Sequence, residues 1–143
     1  MVGVKIVGLG KALPKMTLTN DEISQRVDTS DEWITTRTGI KSRHIATTET
    51  TTQLATKAAQ MALKESGLSP DEIELVIVAT ASPDTMMPST ACLVAKALDI
   101  NAARCFDLSA ACSGFIFASE VAIGMMGESG YHNALVIGAE VLS

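Results

Sequence analysis

Leu75-Val-Ile-Val-Ala79 is an unbroken apolar run held between Glu74 and Thr80. A strand with one wet face would alternate apolar and polar residues, so a continuous run rich in β-branched side chains predicts a strand buried on both faces. Such strands lie inside parallel sheets that carry helices on both sides. The flanking sequence supplies those layers. Val2 to Leu9 reads as a first strand, in which Gly8 and Gly10 let neighbouring backbone approach closely. Thr51 to Ser66 reads as a helix with Leu54, Ala58, Met61 and Ala62 on one face and Gly67 as its left-handed terminator. Ser82 to Pro88 is a loop with a proline near each end. Ser89 to Leu98 then reads as a helix, Ala103 to Leu108 as a strand, Cys112 to Ser129 as a helix and Asn133 to Ala139 as a strand. The order βαβαβαβ predicts an α/β fold, a mostly parallel sheet covered by helices on both faces.

Shorter signals fill the gaps. Thr19-Asn-Asp-Glu22, Thr29-Ser-Asp-Glu32 and Ser69-Pro-Asp-Glu72 each fit the capping box, in which a hydroxyl and a glutamate satisfy each other's orphan amides. The helix after the second box runs through Trp33 to about Thr36 and is stopped by Gly39; Ile40 to Ile45 is a short irregular or extended piece.

At 143 residues the chain holds at most one domain, and with 47% apolar but only 3% aromatic residues its core must be aliphatic. Eleven basic against 16 acidic side chains, a formal charge of −5, argue against a nucleic-acid or anionic-membrane surface. No apolar run reaches the ~18–20 residues of a transmembrane helix. The stretch from Met1 to Gly10 lacks the regions of a signal peptide, so residence in the cytoplasm is expected. The three cysteines, Cys92, Cys105 and Cys112, are odd in number and lack paired metal spacing, which speaks against a disulfide framework or a zinc site. Because Ser143 follows directly on a predicted strand with no closing element, residues 1–143 read as an incomplete part of something larger.

The segment Phe106-Asp-Leu-Ser-Ala-Ala-Cys-Ser-Gly-Phe115 carries the chemistry. A strand ends, small residues turn sharply, and Cys112 opens an almost wholly apolar helix. Amides at a helix N-terminus point outward unsatisfied and carry partial positive charge, which stabilises a thiolate and also an oxyanion formed on a carbonyl bound to that sulfur. Phe115, Ile116, Phe117, Val121, Ile123 and Met126 leave this helix apolar all round, the pattern of a helix buried in the middle of a protein. Cys112 is then expected at the floor of a deep, water-poor pocket. The competing reading is a small buried hydrophobe, the common fate of a free cysteine. Cys92, mid-helix, and Cys105, inside a strand, read as core.

Ala110-Ala-Cys-Ser-Gly-Phe115, taken with Asp28-Thr-Ser-Asp-Glu-Trp-Ile-Thr-Thr-Arg-Thr-Gly-Ile40, closely resembles 3-oxoacyl-acyl-carrier-protein synthase III, and the resemblance runs on to Gly138-Ala-Glu-Val-Leu-Ser143. It implies the N-terminal half of a thiolase-like fold, in which two pseudo-equivalent α/β halves stack in layers, usually as a homodimer. The family's reaction moves a short acyl group from coenzyme A to a cysteine, then condenses it with malonyl-acyl-carrier protein with loss of carbon dioxide. The coenzyme A thioester is a substrate, and no cofactor is permanently bound.

By that resemblance Cys112 is the acylated nucleophile and its backbone amide an oxyanion donor. Trp33 stacks on the coenzyme A adenine with Thr29 beside it, and Arg37 meets the coenzyme's phosphates or the acidic carrier protein. Met87 stands where the family often has a phenylalanine reaching into the partner subunit's acyl pocket, which leaves the primer's size open. Ala81 disfavours the hydroxymethylglutaryl-CoA synthase branch, whose acid/base glutamate lies in that segment. The family's decarboxylating His and Asn have no counterpart: His44 reads as a surface residue, and His132 as a neighbour of a helix carbonyl end. The alternatives are a sister synthase with another acyl-CoA primer, a non-catalytic assembly subunit with a separate partner, and a thiol redox sensor. The last is weak, because neither Cys92 nor Cys105 is placed as a resolving partner for Cys112.

Overall fold

The computed structural model describes residues 3–143, so Val2 of the first predicted strand lies outside the described residues. The elements run β1 (Met16–Thr19), α1 (Asn20–Ser24), α2 (Asp31–Thr38), β2 (Ser42–Ile45), α3 (Thr51–Ser66), β3 (Leu75–Ala79), α4 (Thr90–Ala97), β4 (Arg104–Leu108), α5 (Gly114–Ser129) and β5 (Ala134–Gly138). They fall into two compact units: Leu13–Glu49 with Ser143, and Thr50–Leu142 with the segment that ends at Ala12.

The larger unit is built on β3. This strand is flanked by β4 and β5, both parallel to it, in the order β4-β3-β5. All five of its residues are buried, as the unbroken apolar run predicts. Its side chains alternate between two cores. Leu75, Ile77 and Ala79 pack against Ala118 and Ala122 of α5. Val76 and Val78 join Ala55 and Ala59 of α3 and Ala91, Val94 and Ala95 of α4. Helices therefore cover both faces. Gly114, Ala118 and Ala122, spaced four apart, are the buried residues of α5. A Cβ on Gly114 would stand 3.1 Å from that of Ala79, so the bare glycine sets how closely the helix start approaches the sheet.

The first predicted strand does not form. Gly3 to Leu9 runs without strand structure along α3, leaving Ile6 76% and Leu9 64% exposed. A strand needs a ladder partner, and no described strand lies beside this segment, so the parallel sheet has three strands where the sequence predicted four. The glycine expectation survives: a Cβ on Gly8 or Gly10 would overlap the carbonyl oxygens of Ala62 and Ala58. The buried face of α3 is also rotated from the predicted one. Leu54, Ala55 and Ala59 are buried, whereas Met61 is 50% exposed, because the Ala58 and Ala62 side is taken by the glycine backbone.

Two aspartates hold the helices from other segments. The Asp107 carboxylate on β4 accepts from the N–H groups of Thr90 (2.7 Å) and Ala91 (2.8 Å), at the start of α4. Asp84 does the same for Thr51 (3.0 Å) and Thr52 (2.9 Å) at the start of α3. Burial pushes the Asp84 carboxyl up, but hydrogen bonds from Thr52, Thr50 and Thr51 outweigh it and hold the group below its ordinary value. Glu22 closes the box predicted with Thr19, taking the Thr19 N–H at 2.7 Å while Glu22 N–H reaches the Thr19 hydroxyl at 3.2 Å. Glu72 likewise accepts from the Ser69 N–H and hydroxyl over a short turn. The second predicted box does not form: Ser30, not Thr29, caps α2, its oxygen accepting from the Trp33 N–H, and no carboxylate returns the bond. Gly39 ends that helix in the left-handed region, φ 72°.

Replacing Asp107 by alanine strands two first-turn amides of α4 at once. Asp107→Ala is expected to cost about 1–2 kcal/mol in urea unfolding, the range for a lost helix cap. An unchanged midpoint would show that solvent satisfies these amides equally well.

Candidate active site

The three parallel strands end together. Ala79 of β3 pairs in register with Leu108 of β4 and Gly138 of β5. Hydrogen bonds carry this alignment one residue further, from Thr80 N–H to Leu108 O and from Ala139 N–H to Ala79 O, each 3.1 Å. The carboxyl edge of a parallel sheet is where α/β folds place ligands, since the loops diverge there and helix N-termini face outward.

Cys112 stands at that edge. Beyond Leu108 the chain turns through Ser109 and Ala110, enters a single 3-10 turn at Ala111–Ser113, and continues into α5. Ala111 has φ +44°, a left-handed conformation that costs an alanine about 1–2 kcal/mol. Ser113 N–H is used by Ala110 O at 3.1 Å. The N–H groups of Ala111 and Cys112, at the first two positions of the turn, have no partner within it. An exposed sulfur beside unspent N–H donors can attack a carbonyl carbon and have the resulting oxyanion held.

The expected deep pocket is absent among the described residues. Cys112 is exposed, and α5 is buried only along its small-residue stripe. Phe115 is 55%, Ile116 61% and Ile123 47% exposed. Phe115 lies against Gly138 at the end of β5, and the rest of these side chains stays largely exposed. Cys92 is likewise exposed, not core, because it lies on the outer side of α4 from Ala91 and Val94. Cys105 is half-buried as expected of a strand residue, and burial, aided by the neighbouring Cys92 thiol, pushes its thiol up to about 11.

Glu140, which the sequence reading passed over, ties this edge together. Its carboxylate accepts from the Ala81 N–H at 2.7 Å and from the Ser82 hydroxyl, while Val141 N–H donates to the same Ser82 oxygen at 2.9 Å. The loop it anchors carries Met87, 88% exposed at the tip. Only the tertiary pairing of β3 with β5 brings residues so far apart in sequence together, so no local signal marks Glu140.

Trp33 and Arg37 lie on α2 in the smaller unit. Trp33 is 53% exposed, and the Arg37 guanidinium stacks over the indole at 4.6 Å. Thr29, half-buried, precedes the helix cap. The sole buried residue of Leu13–Glu49 is Asn20. Its amide nitrogen donates to Asp31 (2.7 Å) and to Ile40 O (2.8 Å), and its oxygen accepts from Arg43 (2.8 Å), so one side chain grips both ends of α2 and β2. The paired strands β1 and β2, antiparallel from Met16↔Ile45 to Thr19↔Ser42, complete this unit; the sequence reading recognised only the second as extended.

Each histidine has Nδ1 in a contact outside the cysteine turn. His44 Nδ1 lies 2.7 Å from Pro14 O. His132 pairs with Glu74, ring to carboxylate 3.4 Å, in place of the expected helix end; the His132 N–H is also the main cause holding the Glu74 carboxyl down.

The family model for 3-oxoacyl-[acyl-carrier-protein (ACP)] synthase III matches residues 106–143, which takes in most of β4, Cys112, α5 and β5. The β-ketoacyl-[acyl-carrier-protein] synthase III of Clostridium beijerinckii is 52% identical over the whole chain. The crystal structure of 3-oxoacyl-[acyl-carrier-protein] synthase III from Aquifex aeolicus superposes with a TM-score of 0.95 over 98% of the chain, at 54% identity. Along its whole length the chain is similar to 3-oxoacyl-[acyl-carrier-protein] synthases III. It spans under half the length of these relatives, 44% of the Clostridium protein and 46% of the Aquifex structure. A priming β-ketosynthase from a polyketide biosynthetic pathway also superposes, with a TM-score of 0.92 over 96% of the chain and 42% of its own, at 36% identity. The thiolase-like α/β fold expected from the sequence is thus the fold these proteins share.

Asn20→Ala removes the shared partner of Asp31, Arg43 and Ile40 O, a loss of about 0.5–1.5 kcal/mol per hydrogen bond, since the groups left behind can turn to water. Hydrogen exchange is expected to quicken across Asp31–Thr38 with β3 unaffected. Unchanged protection there would remove Asn20 as the hold on α2.

Proposed function

We propose that this chain supplies the acyl-loading part of a condensing acyltransferase that starts fatty acid synthesis. The observation that carries the proposal is Cys112, exposed on a strained strand-to-helix turn beside unspent N–H groups. The Cys112 sulfur, as thiolate, attacks the carbonyl carbon of a short acyl-coenzyme A. The backbone N–H of Cys112 stabilises the oxyanion, and the intermediate collapses by breaking the bond to the coenzyme's sulfur. Coenzyme A leaves as a thiol carrying the proton Cys112 gave up, and the acyl group stays as a new thioester. Condensation with malonyl-acyl-carrier protein, with loss of carbon dioxide, then yields the 3-oxoacyl product.

Trp33, Thr29 and Arg37 form the coenzyme A contact in this reading. A half-exposed indole offers a flat face to adenine, and the neighbouring guanidinium is a forked partner for phosphate. The coenzyme A thioester is a substrate, and no resident cofactor is invoked. Met87, exposed on its loop, is the group offered to the acyl pocket of a partner subunit. The free edge of β4 and the bare apolar faces of α5 support assembly as a homodimer or larger oligomer. Loading is the step proposed for the chain by itself, not condensation.

Incubation with acetyl-coenzyme A is expected to add one acetyl mass to the intact chain, and Cys112→Ala to abolish the gain; an acetylated Cys112→Ala chain overturns the assignment. Trp33→Ala is expected to raise the concentration for half-maximal loading about three- to tenfold, from roughly 0.5–1.5 kcal/mol of lost stacking, with the final extent unchanged. The likeness to a polyketide priming synthase favours one second reading, a sister enzyme with another primer. Preferential loading from a branched or longer acyl-coenzyme A would select it.

A further inference from the structure

The loop from Ser82 to Pro88 is tied down at its foot and bare at its tip. Met86 and Met87 are almost wholly exposed, so packing does not place them. The foot does. Ser82 O accepts from the Thr51 hydroxyl at 2.7 Å, and the Ser82 N–H donates to Thr80 Oγ1 at 3.1 Å. Glu140, beyond the end of β5, completes the hold. In a continued parallel ladder the Ala81 N–H would turn to the Ala139 carbonyl, since the Ala139 N–H already donates to Ala79 O. It donates instead to Glu140 Oε1 at 2.7 Å, so a side chain ends the ladder and sets where the loop departs. The Ser82 hydroxyl donates to Glu140 Oε2 and accepts from the Val141 N–H. Both carboxylate oxygens therefore face donors from consecutive residues. An amide of the same shape cannot satisfy both, because one of its ends carries hydrogens.

We propose that Glu140 is a positioning residue for primer choice: its carboxylate fixes the Ala81–Ser82 foot and, through it, where Met87 stands against the acyl group. The proposal rests on the acyl-loading reading above, in which Met87 enters the acyl pocket of a second copy of the chain. Methionine is unbranched and adapts to what it touches, so its side chain alone makes a soft wall. Exclusion of a bulkier acyl group then depends on the backbone that carries it, and that backbone is held from its foot. Asp84, in the same loop, also caps α3, and its loss would disturb a helix. The Glu140 bonds go to the loop foot, so their loss frees the loop and spares the layers beneath it. Glu140 acts through the loop and not on the reacting atoms.

The test is competition between acetyl- and isobutyryl-coenzyme A for the full chain, with the two acyl masses on Cys112 compared by intact mass. Met87→Ala is expected to shift the ratio toward the isobutyryl group by about three- to tenfold, no more than one methylene is worth in an apolar pocket. Glu140→Gln is expected to shift it the same way, and Glu140→Gln combined with Met87→Ala to shift it no further than Met87→Ala alone. Hydrogen exchange at the Ala81 amide quickens in Glu140→Gln while β3 keeps its protection. Ser82→Ala removes the hydroxyl, leaves the carboxylate, and gives the same shift should the Glu140 variant not fold. An unchanged ratio in Glu140→Gln or, in its place, Ser82→Ala, beside a shifted one in Met87→Ala, overturns the role of Glu140 and leaves the loading reading standing. Additive shifts in the double variant overturn it as well, since Glu140 would then act apart from Met87. No shift in Met87→Ala takes the loop out of the acyl site and ends the proposal. No acyl group on Cys112 of the unaltered chain ends the loading reading and the proposal with it.

Discussion

Everything in the larger unit is referred to β3, a strand with no polar side chain and no exposed face. Burying an aliphatic side chain stabilises by about 1.5–3 kcal/mol, whereas a typical hydrogen bond contributes about 0.5–1.5 net, so Leu75, Val76, Ile77 and Val78 outweigh any single polar contact in that unit. Their alternation also decides geometry. The Leu75, Ile77, Ala79 side accepts the small stripe of α5, which brings the helix start against the sheet at Gly114. The cysteine turn is thereby pinned between the end of one strand and a helix that cannot slide, and an alanine at φ +44° can be tolerated there because both sides of the turn are fixed.

The smaller unit obeys a different rule. It buries no apolar side chain, and its centre is a single amide, Asn20, with a carboxylate, a guanidinium and a backbone carbonyl around it. Such a network is held by direction more than by magnitude. It fixes α2 so that Trp33 and Arg37 can remain outside, stacked on each other, at little cost in stability. An apolar core beneath α2 would have drawn the indole inward. Exposure of the one tryptophan follows from building this unit on hydrogen bonds.

What could be read in the sequence tracks how local each cause is. The helix over Thr51–Ser66, its Gly67 terminator, the strand Leu75–Ala79 and the Cys112 turn are encoded within a few residues of themselves, and they stand where expected. The first strand failed because its pattern, alternation with glycines, describes a surface that fits a ladder but cannot show whether a ladder is there. Met61 was misplaced because helix periodicity identifies apolar positions without saying which side meets backbone, here Gly8 and Gly10. Glu140, Asp84 and Asp107 were invisible for one shared reason: each satisfies amides or hydroxyls brought near only by the tertiary fold. At Cys112 the chemistry was legible from a turn and a helix start, while the degree of burial was not, since enclosure is a property of neighbours.

The three cysteines make the same point within one residue type. Cys112 owes its character to backbone direction, the outward N–H groups of a helix start. Cys105 owes its own to burial in a strand, which favours the neutral thiol and makes it inert alone. Cys92 lies on an open helix face, its sulfur 3.9 Å from the Cys105 carbonyl oxygen across the α4–β4 seam. A strand-to-helix turn gives a nucleophile that acts outward on a substrate.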